Sequence, residues 1–543
     1  MSGNKNKTGI VIGAVAIAAI GGGYLLFRGW SKGSSLTPLQ AAEIIPQDAL
    51  FAGYFSTNSE SWTKLDKFGT SEFKKLVVEP AKKQLEEASK ENSATEDIDY
   101  EKDIKPWLGN IMLAALPSKA EEPEVLLVIG IKDKVAALKF MDKLKKEAED
   151  TIQTSEYKGF TIIETTKDSE DPYNIAILDD KIVLAPEKET VKTAIDTYKG
   201  SASFADKKGA KEILSQTNKN SDTLFQFYIP DYTGLLKQSL RASGEDLADF
   251  KSIEKQLDYV DSMVLSIGVK ENRGILMETI VKLNPDANIP KYPNIPGKIL
   301  SKIPGDSLLL ISSGGIAQSW TWFVDRFGED PDFKEGLNIA RDSLKETTEL
   351  DLDKDIIGWM DGEIAISINP SQTPPAPVNG AIVIATSDRP TAENAIDKFE
   401  EFAKSNGAPI SKKEVAGKEV TEYESYPGQV VLAYGWLDNK SLAISIADKA
   451  DRIISLEPSE SIAQNEAFKN SIKDFSKQNY GYFYLNFKEV NVIVSQFARD
   501  FGQPIPPEAE AVLNSVKAIA GVTTMPDSLT AKQELLIELE TSE

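Results

Sequence analysis

The chain has 543 residues, of which 41% are apolar and 27% are charged, a composition typical of folded proteins and long enough for two to four domains. Its formal net charge of −23 argues against nucleic acid as a partner, because nucleic-acid binding depends on Lys and Arg side chains that neutralise phosphates. The chain contains no Cys and no His, which excludes disulfides, thiolate metal sites, Ser-His-Asp and Cys-His catalysis and the common zinc centres.

An uncharged segment near the N-terminus predicts a membrane anchor. Residues 1–9 form a short basic tail, and residues 10–27 contain no charged side chain. At a helical rise of about 1.5 Å per residue this segment extends about 27 Å, close to the roughly 30 Å hydrocarbon core of a bilayer. Arg28 follows directly, without a small-residue cleavage site, so we expect an uncleaved signal anchor with a cytoplasmic N-terminus. Residues 28–40 then form a Gly- and Ser-containing tether.

One stretch of the sequence occurs twice. Asp99–Gly109 returns as Asp351–Asp361, and each copy is followed by alternating apolar residues that predict a strand. Further matches keep the same order through both halves at an almost constant offset, among them Ser61–Thr63 and Ser319–Thr321. We therefore predict an internal duplication, with a first repeat over residues 41–284, a Pro-rich linker over 285–297 and a second repeat over 298–543.

The repeats predict an α+β fold. Each has the order strand, helical region, hairpin, helix, hairpin, helices and final hairpin. Tight turns at Leu178–Lys181 and Leu437–Lys440 lie between two alternating segments, which is the signature of a hairpin. Hairpins join antiparallel neighbours, and the helices between them must cover a face of the sheet. We expect two tandem similar lobes, each a mainly antiparallel sheet covered by helices, behind a single N-terminal transmembrane helix.

Three carboxylates at alternate positions, Asp351, Asp353 and Asp355, are the candidates for a metal site. Their spacing is similar to that of a calcium-binding loop, in which oxygen ligands converge on a hard cation. Such a loop also requires Gly at its sixth position and Glu at its twelfth, where this sequence has Ile356 and Gly362. We therefore predict no metal, and we expect these acids to cap a short helix whose apolar side chains anchor it in the core.

Catalysis without histidine is an alternative that the residues leave open. Ser61 and Lys64 have the Ser-x-x-Lys spacing of penicillin-binding proteins, in which a lysine one helical turn away deprotonates the serine. The second repeat has Trp322 where the first has Lys64. The acid pair Asp179–Asp180 has the composition of a hairpin tip rather than of a glycosidase site. We predict no catalytic residues and no cofactor, with a Ser-Lys or carboxylate-pair hydrolase as the alternative.

Trp322 is the candidate interaction residue. Positions two apart on a helix point to different sides, so Trp320 and Trp322 must have different surroundings. Trp320 matches Trp62 of the first repeat and is expected in the core. Trp322 has no aromatic counterpart, and we expect it to be exposed or to lie between the lobes, because aromatic side chains are enriched at the cores of interfaces.

The repeated residues also carry a resemblance to a known family. Pro46–Leu50 (PQDAL) and Asp103–Gly109 (DIKPWLG) together resemble the signature of an uncharacterised, largely cyanobacterial family of exported proteins, domain of unknown function 3352. The second copy departs from that signature, with Gly358 in place of the proline and Asp361 in place of the glycine. The resemblance implies a membrane-anchored protein of the periplasm or the thylakoid lumen, and it assigns no functional residues.

The sequence therefore predicts a binding protein rather than an enzyme. We expect a single-pass membrane protein, anchored through residues 10–27, that binds another protein or a membrane complex as a scaffolding or assembly factor. Nucleic acid is excluded as a partner. A histidine-independent hydrolase and a calcium-binding envelope protein are the alternatives.

Overall fold

A computed structural model describes most of the chain. The described residues are 36–65, 67–69, 100–118, 123–147, 152–165, 173–215, 222–243, 258–290, 294–328, 330–371, 377–426 and 429–541. The predicted anchor at residues 10–27 lies outside these ranges. Among the described residues, no helix has both the length and the apolar character needed to cross a membrane. We refer to described residues up to 290 as the first half and to those from 294 as the second half.

Twenty strands form one hydrogen-bonded sheet. In the first half they are β1 Phe51–Phe55, β2 Leu108–Leu116, β3 Glu124–Ile131, β4 Ile152–Tyr157, β5 Phe160–Thr165, β6 Asn174–Leu178, β7 Lys181–Ala185, β8 Asp222–Ile229, β9 Val260–Lys270 and β10 Gly274–Leu283. In the second half they are β11 Leu309–Gly314, β12 Glu363–Pro370, β13 Val378–Ala385, β14 Ile410–Val415, β15 Lys418–Tyr426, β16 Gln429–Asp438, β17 Ser441–Ile446, β18 Tyr482–Leu485, β19 Val516–Asp527 and β20 Thr530–Leu539.

The order of pairing is the same in both halves. From the outer edge inwards it is β4-β5-β6-β7-β3-β2-β1-β8-β9-β10 in the first half. In the second half it is β14-β15-β16-β17-β13-β12-β11-β18-β19-β20. All of these pairs are antiparallel, so the predicted α+β class with a mainly antiparallel sheet is confirmed.

Helices connect the strands and begin at residues that suit helix starts. The first half has α1 Pro38–Ala42, α2 Ser59–Leu65, α3 Lys134–Glu147, α4 Lys188–Tyr198, α5 Ala210–Ser215 and α6 Tyr232–Ser243. The second half has α7 Ile316–Phe327, α8 Pro331–Thr348, α9 Arg389–Ser405, α10 Asp451–Ile454, α11 Glu466–Ile472, α12 Phe487–Asp500 and α13 Pro507–Leu513. Asp330 caps α8 by accepting from the amide of Phe333, and Asp388 caps α9 by accepting from that of Thr391, each just before a proline in the first turn.

Alternate residues of the central strands face the two sides of the sheet. Along β10, Leu276 and Ile280 are buried, and Ile280 belongs to the main core of the first half. Ile275 and Met277 are partly exposed on the opposite side, which we call the open face. The second half has its own core on the buried side, formed around residues such as Leu310 and Tyr484. The period of two along a strand thus separates a core face from the open face.

Strands β10 and β20 form the seam that joins the two halves. Gly274 pairs with Glu538 at one end, and Lys282 pairs with Thr530 at the other. Gly274 and Thr530 are the first residues of their strands, so the seam has a local two-fold symmetry. At its centre Glu278, the fifth residue of β10, lies opposite the fifth residue of β20, Glu534.

Lys532 forms ion pairs with both carboxylates of this central pair. Its Nζ lies 2.7 Å from Glu278 Oε1 and 3.2 Å from Glu534 Oε1, and both glutamates are buried. The residue that corresponds to Lys532 in β10 is Leu276, so the symmetry breaks here and one ammonium group serves two carboxylates. Burial raises the pKa of Glu278 above its ordinary value, and the nearby Glu534 adds to this rise while Lys532 opposes it.

Replacing Lys532 should destabilise the protein strongly. Lys532→Met leaves two buried carboxylates without a cation and should lower the free energy of unfolding by about 3–5 kcal/mol at neutral pH. Urea denaturation measures this change. The matched control is Lys517→Met on the neighbouring strand, because Lys517 pairs at 2.9 Å with Glu540 near the surface and should contribute less than about 1 kcal/mol.

The cost of Lys532→Met should also depend on pH. Because the pKa of Glu278 is raised on folding, the folded protein holds this proton more tightly than the unfolded chain. The stability that protonation supplies is fully present below the ordinary carboxyl pKa and is lost as the pH rises through the raised value. The cost should therefore be smaller at acidic than at neutral pH, and an equal cost at both would contradict the assignment of Glu278.

Candidate functional site

The predicted metal candidates hold one helical turn together. Asp351 Oδ1 accepts from the amides of Asp353 and Lys354, both at 3.0 Å, and Asp355 Oδ2 accepts from the amide of Asp351 at 2.8 Å. These bonds cap the π-helical turn Leu352–Ile357. Within the part of the chain that the structure describes, no group of three or more acidic, His or Cys side chains is arranged to hold a metal ion.

Asp353 links this turn to two helices. Arg341 on α8 binds it through two bonds, Nε to Oδ2 at 2.7 Å and Nη2 to Oδ1 at 2.9 Å. The indole nitrogen of Trp320 on α7 donates to Oδ1 at 2.6 Å. The hydrogen bond from Arg341 is the largest cause that lowers the pKa of Asp353. The expectation that Trp320 lies in the core is wrong, because α7 buries none of its residues and this indole is turned towards Asp353.

Trp322 lies on the other side of α7 and contacts the first half. Its indole nitrogen donates to the carbonyl oxygen of Ala287 at 3.1 Å, and its ring meets Tyr259 edge-on at 6.2 Å between ring centres. Arg326, one turn later, forms an ion pair with Asp258. Trp322 is thus partly exposed and lies between the two halves.

The residues considered for catalysis lie on different elements of the first half. Ser61 is buried at the start of α2. Asp179 and Asp180 lie at the tip of the β6–β7 hairpin, where Asp179 has a φ of 55° and Asp180 pairs with Lys181. Asp179 also accepts a hydrogen bond from the hydroxyl of Tyr198.

A groove of about 450 Å³ lies where the two halves meet, and we call it the junction groove. Its floor is the open face of β11, β18, β19 and β20. Leu283 and Ile289 of the first half and Ser319 of α7 form its rim. The remaining lining residues are Ile311, Ser312, Ser313, Gly314, Tyr480, Gly481, Tyr482, Phe483, Gly521, Val522, Thr523, Met525, Ala531, Gln533 and Leu535. None of the lining residues carries a charge.

The groove exists because the second half has small residues where the first half has large ones. In the first half Phe55 pairs with Phe225, and Phe225 pairs with Ile267. Six positions of the open face are larger in the first half, namely Phe55, Phe225, Leu265, Ile267, Ile275 and Met277. At the same register the second half has Ser313, Gly481, Gly521, Thr523, Ala531 and Gln533. Four positions change the other way, from Gly53 to Ile311, from Leu224 to Tyr480, from Val269 to Met525 and from Thr279 to Leu535.

The backbone opens at the same place. Strands β11 and β18 pair only as far as Ile311 opposite Phe483, after which the amide of Tyr482 bonds to the side-chain Oγ of Ser312 at 2.9 Å. Gly481 has a φ of 156°, and a Cβ there would lie 1.8 Å from the carbonyl oxygen of Ser312. Glycine is therefore required here, because the backbone of β11 approaches Gly481 closely just beyond the last ladder pair.

A family model supplies the identity of the chain. The model of domain of unknown function 3352, described as a protein of unknown function, matches residues 10–539, nearly the whole chain. The chain belongs to this family. The resemblance based on Pro46–Leu50 and Asp103–Gly109 is thereby confirmed. Comparison with curated proteins and with solved structures found no match. Membership of the family assigns no reaction.

Sequence reasoning missed the junction groove, although a signal for it was present. Matching motifs reveals what two repeats share, whereas the groove comes from positions at which they differ. A comparison of the closing hairpins residue by residue would have paired Leu265 with Gly521 and Ile267 with Thr523. A run of such large-to-small differences on one face of a sheet indicates a cavity.

Calcium should not stabilise the protein. The carboxylates of Asp351, Asp353 and Asp355 are already bonded to backbone amides and to Arg341, so we expect the same Tm with calcium and with a chelator in thermal unfolding. Asp353→Asn is the control, and it should lower Tm in both conditions because it weakens the bonds to Arg341 and Trp320. A rise in Tm with calcium that Asp353→Asn abolishes would contradict this reading.

Proposed function

We propose that the protein is a membrane-anchored, extracytoplasmic binding protein without catalysis, which acts in scaffolding or assembly. In this proposal the junction groove holds an uncharged segment of another protein or of a membrane complex. The observation that carries the proposal is the composition of the groove. In a chain with 27% charged residues, a cleft with no charge in its lining favours a neutral ligand, because a buried charge would lose its hydration without a partner.

The size and chemistry of the groove support a binding role. Its volume falls within the roughly 300–1,000 Å³ of typical ligand sites. Apolar side chains such as Ile311, Phe483 and Leu535 dominate the lining, and hydroxyl groups such as those of Ser313 and Thr523 are distributed among them. Mostly apolar walls with a few polar groups are typical of sites that fix the orientation of a ligand.

The proposal also takes the chain to be a tandem duplication of one lobe. The equal strand order of the two halves and the symmetric seam support this view. After a duplication one copy can keep the packed form while the other changes. The open face of the second half, with its six reduced side chains, has the properties expected of the copy that acquired a binding role.

Tethering to a membrane places this site close to the bilayer. The uncharged residues 10–27, the lack of Cys and the acidic composition support an anchor with the bulk of the chain in the periplasm or the thylakoid lumen. Trp322 is included in the proposal as a side chain at the boundary of the two halves, near the rim that Ile289 and Ser319 form.

Site-specific photocrosslinking in native membranes tests this proposal. A photoreactive residue at Ser313, which is exposed and lines the groove, should give a reproducible adduct with one protein. The matched control is the same photoreactive residue at Thr347 on α8, which is also exposed but lies outside the groove. The adduct should weaken when Thr523→Ile narrows the groove of the Ser313-labelled chain.

Three outcomes would contradict the proposed function. These are the absence of any adduct from Ser313, identical adducts from Ser313 and Thr347, and crosslinks from Ser313 to lipid alone.

A further inference from the structure

In the first half, a tryptophan fills the position that corresponds to the junction groove. Trp62 is 6% exposed and packs against Leu224, Val269 and Leu539. Its indole nitrogen donates to the carbonyl oxygen of Ser56 at 2.7 Å. This indole therefore has both an apolar surrounding and an acceptor for its one polar atom, as a buried tryptophan requires.

The second half has the same arrangement without the tryptophan. By register, Leu224, Val269 and Leu539 correspond to Tyr480, Met525 and Leu283, and all three of these line the junction groove. Gly314, which corresponds to Ser56, lines it as well. The junction groove is thus the counterpart of the Trp62 site.

The tryptophan of the second half is held elsewhere. Trp320 occupies the helix position that corresponds to Trp62, yet it is absent from the lining of the groove. Its indole nitrogen bonds to Asp353, and its ring stacks on Phe323 with 6.3 Å between ring centres. Arg341 fixes that carboxylate with two further bonds. For Trp320 to enter the groove, it would have to give up a charge-assisted hydrogen bond.

We infer that the junction groove binds an aromatic side chain, tryptophan in preference to others, presented by the partner polypeptide. This inference rests on the proposed function and specifies its ligand. Three observations carry it: the corresponding site of the first half holds an indole, the walls around both sites correspond, and the lining carries no charge that would select an ionic group.

The lining also favours a ring over a flexible chain. Tyr480 and Phe483 are aromatic, and aromatic pairs gain about 0.5–1.5 kcal/mol beyond the burial of area. The hydroxyl groups of Ser313 and Thr523 and the backbone of Gly314 offer polar atoms to an indole N–H, for which an alkyl chain has no use.

Titration with small probes tests the inference on the full-length chain in nanodiscs of neutral lipid. N-acetyl-tryptophanamide and N-acetyl-leucinamide are compared by ligand-observed NMR at millimolar concentration. The tryptophan amide should bind about tenfold more tightly, equivalent to about 1.4 kcal/mol. Tyr480→Asp combined with Met525→Asp places two carboxylates at the positions that correspond to Leu224 and Val269, which share a core with Trp62 in the first half, and it should abolish binding. The urea midpoint of this variant shows whether it is folded.

Two control variants complete the design. Thr347→Ile, outside the groove, should bind the tryptophan amide as the unchanged protein does. Trp320→Ala should bind it no more tightly, because Trp320 lies outside the groove and its removal frees no space there. A clear gain in affinity for Trp320→Ala would show that Trp320 occupies the groove in solution, which overturns the assignment of a ligand supplied by a partner.

The remaining outcomes separate the inference from the proposed function. Equal binding of the two amides, binding of neither, or binding that survives the folded double variant would overturn the aromatic preference. If the adduct from Ser313 forms nonetheless, the proposed function stands and only its ligand is wrong. If the tryptophan amide binds but no adduct forms, the chemistry of the groove is right and the partner protein is wrong.

Discussion

The pairing of β10 with β20 is the constraint on which the rest of the structure depends. It turns two ten-stranded halves into one sheet and fixes how they are placed relative to each other. Because side chains alternate along a strand, a slip by one residue would move Leu283 and Leu535 to the wrong face and remove the rim and part of the floor of the groove. The buried Glu278–Lys532–Glu534 cluster supports that register, since a slip would separate the charges in an apolar surrounding.

The two halves have the same strand order but fill the open face of the sheet differently. The first half fills its open face with Phe55, Phe225 and Ile267, and inserts Trp62 beside them. The second half leaves the corresponding space open to solvent, which costs stability because apolar side chains such as Ile311 stay in contact with water. The first half has the same strand order and avoids this cost by filling its open face. Poor packing that a related part of the same protein avoids is typical of functional sites.

Much of this fold follows from local sequence, and the parts that do not follow depend on distant contacts. The hairpin turn at Leu178–Lys181 and the capping by Asp351 need only neighbouring residues, and both are present as expected. The two Ser-Trp-Thr segments look alike, yet Trp62 is buried and Trp320 is not. The difference comes from Asp353, 33 residues away, which offers Trp320 an acceptor. The seam likewise joins strands that lie more than two hundred residues apart in the sequence, so no local sequence pattern predicts it.

Helix α7 shows how the halves and the groove are connected physically. None of its side chains is fully buried, although Phe323 and Phe327 pack against Phe333 of α8. Its position also depends on directional contacts on opposite sides, Trp320 with Asp353 in the second half and Trp322 with Ala287 in the first. Since Ser319 of this helix forms part of the rim, the width of the groove depends on bonds to both halves. The side of the groove that a bulky ring would meet is therefore positioned by a helix whose two tryptophans are bonded to different halves of the sheet.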